Sequence, residues 1–215
     1  MLATITRIET PRIGSRVRVI FLDEEEWHTT AAPVIRELGI AEGDIVDADD
    51  LSRSLDAAER VAARERALAT LGYRERSVAE LRTKVLDDGY PTGIVDEVVA
   101  SLESAGIVDD ARFTEMFVRT MAVGKRLGRH RVERELELKG IAPEVAAAPL
   151  NEYLNVDDAP GRVRDAARRL ARQGDRVDLL AARLVRKGYV PGEAFGAARE
   201  TLAAMHADED ERAGV

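Results

Sequence analysis

The chain has 215 residues, of which 45% are hydrophobic, and carries a formal net charge of −8 at pH 7. It contains no cysteine, which excludes disulfides and thiolate metal sites. The negative total argues against a protein that coats nucleic acid by bulk charge alone. No stretch approaches the roughly 18 apolar residues of a membrane span, and no secretion signal opens the chain, so we expect a cytoplasmic protein.

The first 56 residues predict a small α/β segment. Thr4–Ile8 and Arg16–Leu22 are rich in β-branched residues and lie on either side of a turn with proline and glycine, which predicts a hairpin. A third short strand is predicted at 26–29, and a brief helix at 33–38 ends at a glycine. With aromatic residues at only 4%, the rest of the chain favours a mainly helical fold.

From about residue 51 the apolar residues follow a helical period, and this stripe stops at Gly72. The stripe comprises Leu51, Leu55, Ala58, Ala62, Leu68 and Leu71. No strand pattern returns after it. We therefore predict that the remainder of the chain consists of helices.

A spacing of 51 and then 48 residues separates three glycines, Gly89, Gly140 and Gly188, that each follow a short helical pattern. Apolar residues stand eight and four positions before each glycine and one position after it, as a helix that ends at a left-handed glycine requires. Small units of this size bury little surface alone, so we expect tandem three-helix (trihelical) repeats in an extended curved array. The predicted repeats are 57–105, 106–155 and 156–206, followed by an acidic disordered tail at 207–215.

Two basic stretches stand out in this acidic chain. Residues 119–139 hold seven Lys/Arg against three Asp/Glu, and residues 162–187 hold nine against three. Guanidinium groups bind phosphates and carboxylates through paired hydrogen bonds. The candidate partner- or DNA-binding residues are Arg126, Arg129, Arg131, Arg134, Arg162, Arg164, Arg168, Arg169, Arg172, Arg183, Arg186 and Lys187.

An alternative for the first stretch is a solvated helix with internal ion pairs, because Glu133, Glu135 and Glu137 alternate with its arginines. In the second stretch, Arg164, Arg168 and Arg172 recur at four-residue steps, which predicts one row on one helix face. Like charges at that spacing repel, so the row predicts a compensating partner.

No pattern for catalysis, a cofactor or a metal is found in the sequence. The three histidines lie far apart, and there is no phosphate-binding loop, dinucleotide fingerprint, nucleophile elbow or zinc-protease helix. Asp109 and Asp110 form a carboxylate pair, but a role at the start of a helix is the simpler interpretation. We therefore predict a protein that is not an enzyme and needs no cofactor.

Three groups of residues, in this order and spacing, resemble one known family. They are Arg74–Ser77 with Glu80–Val85, Gly106–Phe113, and Gly128-Arg129 with Val132, Glu135-Leu136 and Lys139–Ile141. Together they resemble the RecX family of regulators of the RecA recombinase, over roughly residues 64–202. The third repeat is more diverged and keeps Arg183-Leu184 and Lys187–Tyr189.

The resemblance implies a fold of tandem three-helix repeats and a protein that lies in the groove of the RecA–single-stranded DNA filament and inhibits it. The implied partners are RecA and its filament, with possible direct contact to nucleic acid, and we expect a monomer. A second hypothesis is a helix–turn–helix transcription regulator, which would prefer one duplex sequence. A third is a helical scaffold for an unrelated protein.

Overall fold

The computed structural model of the chain describes the backbone of residues 1–155 and 157–213, and the side chains of residues 1–155 and 157–208. Helices make up most of this part, and an antiparallel sheet lies near the amino end, which confirms the predicted fold class. The chain divides into two compact units, Met1–Asp109 and Asp110–Val215. Within the described ranges, no helix combines the length and the apolar character that crossing a bilayer demands.

The first unit opens with a four-stranded sheet in the order β3-β2-β1-β4. The strands are β1 (Leu2–Glu9), β2 (Val17–Leu22), β3 (Glu25–Ala31) and β4 (Ile45–Asp47), and helix α1 (Ala32–Leu38) follows β3. Neighbouring strands pair antiparallel, so the predicted hairpin, third strand and helix are confirmed. The sequence did not predict β4, because three residues are too few to show alternation.

The first repeat shares its core with the sheet. It consists of α2 (Ala48–Leu71), α3 (Val78–Leu86) and α4 (Thr92–Ser104). Helix α2 begins close to the predicted start of the helical stripe at Leu51, because the Asp47 carboxylate accepts the Asp49 and Asp50 amides at 3.1 Å each. One apolar cluster runs from the strands through this helix to Val108. The sheet and the first repeat therefore fold around the same interior.

The turn between α3 and α4 lies against the sheet. Gly89 has a φ of 99°, and a Cβ at this position would lie 2.9 Å from the Thr30 carbonyl oxygen and 3.0 Å from the Val17 Cα. Beside it, the Asp88 side chain is only 7% exposed, forms an ion pair with Arg66 and lies 3.8 Å from Arg16. Only glycine fits this close approach, and the buried carboxylate ties the turn in place.

The second unit contains two further repeats, each with its own apolar cluster. The second repeat comprises α5 (Asp110–Arg119), a π-helical turn (Thr120–Gly124), α6 (Arg129–Glu137) and α7 (Pro143–Tyr153). The third comprises α8 (Ala159–Leu170), α9 (Val177–Arg186) and α10 (Pro191–Ala213). Helical backbone thus reaches Ala213, into the tail predicted as disordered, because alanine and glutamate there continue a helix that is already nucleated. Residues 214 and 215 lie outside the described part.

The glycines that end the second helix of each repeat are left-handed, as predicted. Their φ values are 99° at Gly89, 73° at Gly140 and 94° at Gly188. The residue after each glycine is buried, with 5%, 4% and 6% exposure for Tyr90, Ile141 and Tyr189. The three repeats therefore use one helix stop, in which the residue beyond the glycine folds back onto the core.

Candidate functional site

The second and third repeats meet through their main chains. The Gly128 amide donates to the Lys187 carbonyl at 2.8 Å. A Cβ on Gly128 would overlap the carbonyl group of Gly188, and a Cβ on Gly188 would overlap Arg131. We call this contact between Gly128 and the 187–189 turn the junction. Two backbones approach so closely here that neither glycine can carry a side chain.

The segment before α6, which we call the connection (residues 125–128), is held by the third repeat. Tyr189 Oη donates to the Arg126 carbonyl at 3.2 Å, and Lys187 Nζ donates to the Lys125 carbonyl at 3.1 Å. Arg126 has a φ of 50°, a left-handed conformation that costs a residue other than glycine about 1–2 kcal/mol. The contacts from the third repeat offset this strain.

The junction brings together cations from both basic stretches. Lys187 Nζ donates to the Lys125 carbonyl, and the main chain and Cβ of Arg131 closely approach Gly188. Arg126 is exposed on the connection. Arg131 is half-exposed and forms an ion pair with Glu135 at 2.6 Å. We call Lys125, Arg126, Arg131 and Lys187 the junction cluster. Four cationic residues from the two basic stretches therefore lie at this contact, and one of them, Arg131, is paired with a carboxylate.

Two predicted site residues serve internal roles beside the junction. Arg129 Nε donates to Glu133 at 2.7 Å, and its Nη1 donates to the Asn151 side chain at 3.0 Å, which joins α6 to α7. Arg162 donates to the Asn155 carbonyl at 2.5 Å, which joins α8 to the end of α7. Both guanidinium groups line a pocket of about 260 Å³ with Tyr189. Because their guanidinium groups are bonded within the chain, Arg129 and Arg162 contribute to the structure of the second unit.

Arg183 is also bound internally. Its guanidinium donates to the two oxygens of Asp175 at 2.6 and 2.5 Å, and to the Leu170 carbonyl at 2.9 Å. The hydrogen bonds from Arg183 hold the pKa of Asp175 below its ordinary value, and those to Asp175 raise the pKa of Arg183. This pair fastens the α8–α9 turn to α9.

The Asp175–Arg183 pair should make the third repeat sensitive to acid. A carboxylate with a lowered folded pKa stabilises the fold above its unfolded pKa of about 3.9, and this contribution is lost as the pH falls through the folded pKa. We expect Asp175→Asn to lower the melting temperature at pH 7, and the gap to wild type to shrink below about pH 4. Melting curves across this range measure it, and a gap that is constant with pH would contradict the assignment.

The predicted row of three arginines on one face of α8 is wrong. Arg164 and Arg168 are exposed on α8, but this helix ends at Leu170. Arg172 lies in the following turn, where its amide donates to Asp175 Oδ2 at 2.9 Å. The helix stops because the aspartate and Gly174, with a φ of 75°, form a turn instead.

Arg164 and Arg168 face acidic residues of α10. They line a shallow pocket of about 290 Å³ together with Glu200 and Asp208. Arg168 also lies 3.6 Å from Asp165 of its own helix, so part of the compensation that the sequence predicted from a partner comes from the chain itself. The three remaining candidates are exposed and lie outside the junction cluster as defined: Arg134, Arg169 and Arg186.

Comparison with known proteins identifies the family to which the helical repeats are similar. Family models described as the first and second three-helix domains of RecX match residues 63–102 and 109–150. The regulatory protein RecX of Halorhodospira halophila is 31% identical over 154 residues, which cover 71% of this chain and 92% of that protein. The one of Amycolatopsis mediterranei is 30% identical over 145 residues, covering 65% and 83%.

Solved structures show the same fold. A crystal structure of regulatory protein RecX superposes with a TM-score of 0.57 at 21% identity and covers 89% of this chain and 96% of its own. A second, RecX from Lactobacillus salivarius, gives a TM-score of 0.53 and covers 67% of this chain and 97% of its own.

Proposed function

This chain belongs to the RecX family, and on that basis we propose that it is a negative modulator of RecA. It binds the groove of the RecA–single-stranded DNA filament and inhibits ATP hydrolysis, strand exchange and filament extension. It acts by occupancy rather than by catalysis, as a cytoplasmic monomer. The observation that carries the proposal is the junction cluster, a group of cationic residues on a main chain held by the third repeat, in a chain whose net charge is −8.

The filament offers two anionic surfaces, the phosphates of the DNA and the carboxylates of RecA. Arginine is suited to both, because its guanidinium remains charged at every physiological pH and donates two parallel hydrogen bonds. In the junction cluster, Arg126 is exposed on the connection and Arg131 is half-exposed in the first turn of α6. Because part of the attraction is electrostatic, we expect binding to weaken as salt rises.

The exposed arginines of α8 are a second contact surface in this proposal. Arg164 and Arg168 carry Glu200 and Asp208 beside them, so the net charge of that surface is smaller than that of the junction cluster. We therefore assign the larger share of the binding free energy to the junction cluster.

The test is RecA ATP hydrolysis on single-stranded DNA, titrated with the protein at ratios below one per RecA. We expect inhibition by the wild type. The double variant Arg126→Ala/Arg131→Ala should need at least about tenfold more protein for half-inhibition, since even one charge-assisted hydrogen bond contributes about 1.5–3 kcal/mol. The matched control is Arg53→Ala/Arg60→Ala, which removes two exposed, acid-paired arginines of α2 and should inhibit like the wild type.

A gel shift on naked duplex DNA completes the test. Absence of inhibition by the wild type, together with tight binding to one duplex sequence, would overturn the proposal in favour of a helix–turn–helix regulator. Equal losses of inhibition in the two double variants would instead leave the inhibition of RecA by the wild type standing and remove the junction cluster from its mechanism.

A further inference from the structure

The third repeat contacts the connection at three separate points. Tyr189 Oη and Lys187 Nζ donate to the carbonyls of Arg126 and Lys125, and the Lys187 carbonyl accepts the Gly128 amide. The acceptors on the connection are main-chain atoms. These contacts therefore fix the path of the connection through its main-chain atoms rather than through the side chains of Lys125 and Arg126.

That path contains a residue in an unfavourable conformation. Arg126 has a φ of 50°, where glycine is the favoured residue, and its side chain is exposed. The preceding π-helical turn ends with the Lys125 amide on the Thr120 carbonyl at 3.1 Å. A strained backbone under an exposed side chain is more typical of a site that presents this side chain than of one chosen for stability.

We propose that the third repeat positions Arg126 as an anion-binding residue, and that Tyr189 is the positioning residue that fixes the connection. The ligand is the anionic surface of the filament, so this inference rests on the proposed function. Tyr189 is suited to the role because its ring is buried in the third repeat while its hydroxyl reaches out to the second. The third repeat thereby contributes the charge of Lys187 to the junction cluster and also fixes the main chain on which Arg126 lies.

A purely structural role for Tyr189 makes a different prediction. If the hydroxyl only stabilised the fold, its removal would lower the melting temperature and leave inhibition per folded molecule unchanged. If it positions Arg126, its removal changes the connection and the inhibition while the fold remains. The substitution Tyr189→Phe separates the two, because it removes the hydroxyl and keeps the buried ring.

The rate of trypsin cleavage measures how firmly the connection is held, without any partner, because trypsin cleaves after Lys125 and Arg126. We expect Tyr189→Phe to increase cleavage at these two bonds several-fold, with cleavage elsewhere unchanged. The matched control is Tyr90→Phe, which alters the equivalent buried tyrosine of the first repeat. Unchanged cleavage in the Tyr189 variant would overturn the positioning role, even if the protein inhibits RecA.

Inhibition of the RecA ATPase then tests whether the position of Arg126 affects binding to the filament. Tyr189→Phe and Arg126→Ala should each raise the concentration for half-inhibition several-fold, and the double variant should resemble Arg126→Ala alone. Fully additive effects would overturn the inference, since the hydroxyl would then act independently of Arg126. If the wild type fails to inhibit, the proposed function falls, and the trypsin result still decides whether Tyr189 fixes the connection.

The substitution Arg126→Gly should change stability and inhibition in opposite directions. Glycine adopts the left-handed conformation without strain, so the melting temperature should stay level or rise. Inhibition should nevertheless fall as far as in Arg126→Ala. A variant that keeps full inhibition would remove the Arg126 side chain from the binding surface and overturn the inference.

Discussion

Replacing Gly128 with alanine should separate the third repeat from the second, at a cost of about 3 kcal/mol, the upper end for overpacking. Its φ of −75° and ψ of 160° suit any residue, so the backbone conformation is not the obstacle. The obstacle is the carbonyl group of Gly188, which the new methyl group would overlap. Because this neighbour is main chain, it cannot rotate away as a side chain would.

Urea unfolding of the full chain measures this effect, with Gly192→Ala as the matched control. Gly192 lies in the first turn of α10 with no atom within 4 Å of an added Cβ, so alanine should leave stability level or raise it slightly. We also expect the Gly128 variant to lose cooperativity, as the third repeat melts ahead of the second. Equal stability of the two variants would show that the repeats do not meet at Gly128.

Replacing Asp88 with alanine should destabilise the first unit by about 3 kcal/mol, since removing one member of a buried ion pair leaves the other charge without compensation. Its side chain is 7% exposed, and Arg66, its partner, is 21% exposed. The same change removes the contact of the Gly89 turn with Arg16, the residue before β2. The loss therefore combines an unpaired charge with weaker docking of α3 and α4.

The control for Asp88 is Asp96→Ala. Asp96 also pairs with an arginine, Arg82, at 2.7 Å, but both side chains are about half-exposed, so water replaces the interaction. We expect little change in the urea midpoint for this variant and a clear decrease for Asp88→Ala. Similar decreases in both would mean that burial of Asp88 does not determine its contribution.

Local signals in the sequence predicted most of the fold. The glycine stops succeeded because a left-handed residue and the apolar residue after it are fixed by neighbours in sequence. The stripe along α2 was right at the buried Leu51 and Leu55 and at Ala58, Ala62 and Leu71, which are partly buried against the core, and wrong at Leu68. Leu68 is 39% exposed, and Glu59, a charged residue, is completely buried because His28 of β3 contacts its carboxylate at 2.8 Å. Periodicity cannot anticipate a partner from a distant strand.

The candidate site was harder to predict, because counting charges does not show which of them are already paired. Arg183 is paired with Asp175, which stands eight positions earlier, across a turn. Arg172 does not lie in the predicted row, because the turn formed by Gly174 and Asp175 ends the helix before it. The sequence did contain this turn signal. Lys125 was missed because nothing local marks it, and it joins the cluster only through a main-chain contact with Lys187.

The junction also bears on how the chain can change over time. Its hydrogen bond and close contacts are made largely by main-chain atoms and by the absence of side chains at Gly128 and Gly188. Mutations elsewhere in the third repeat leave those main-chain atoms in place. The surface residues of the third repeat can therefore be substituted while its contact with the second repeat persists. The third repeat can therefore diverge quickly in sequence and still hold the same position beside the second.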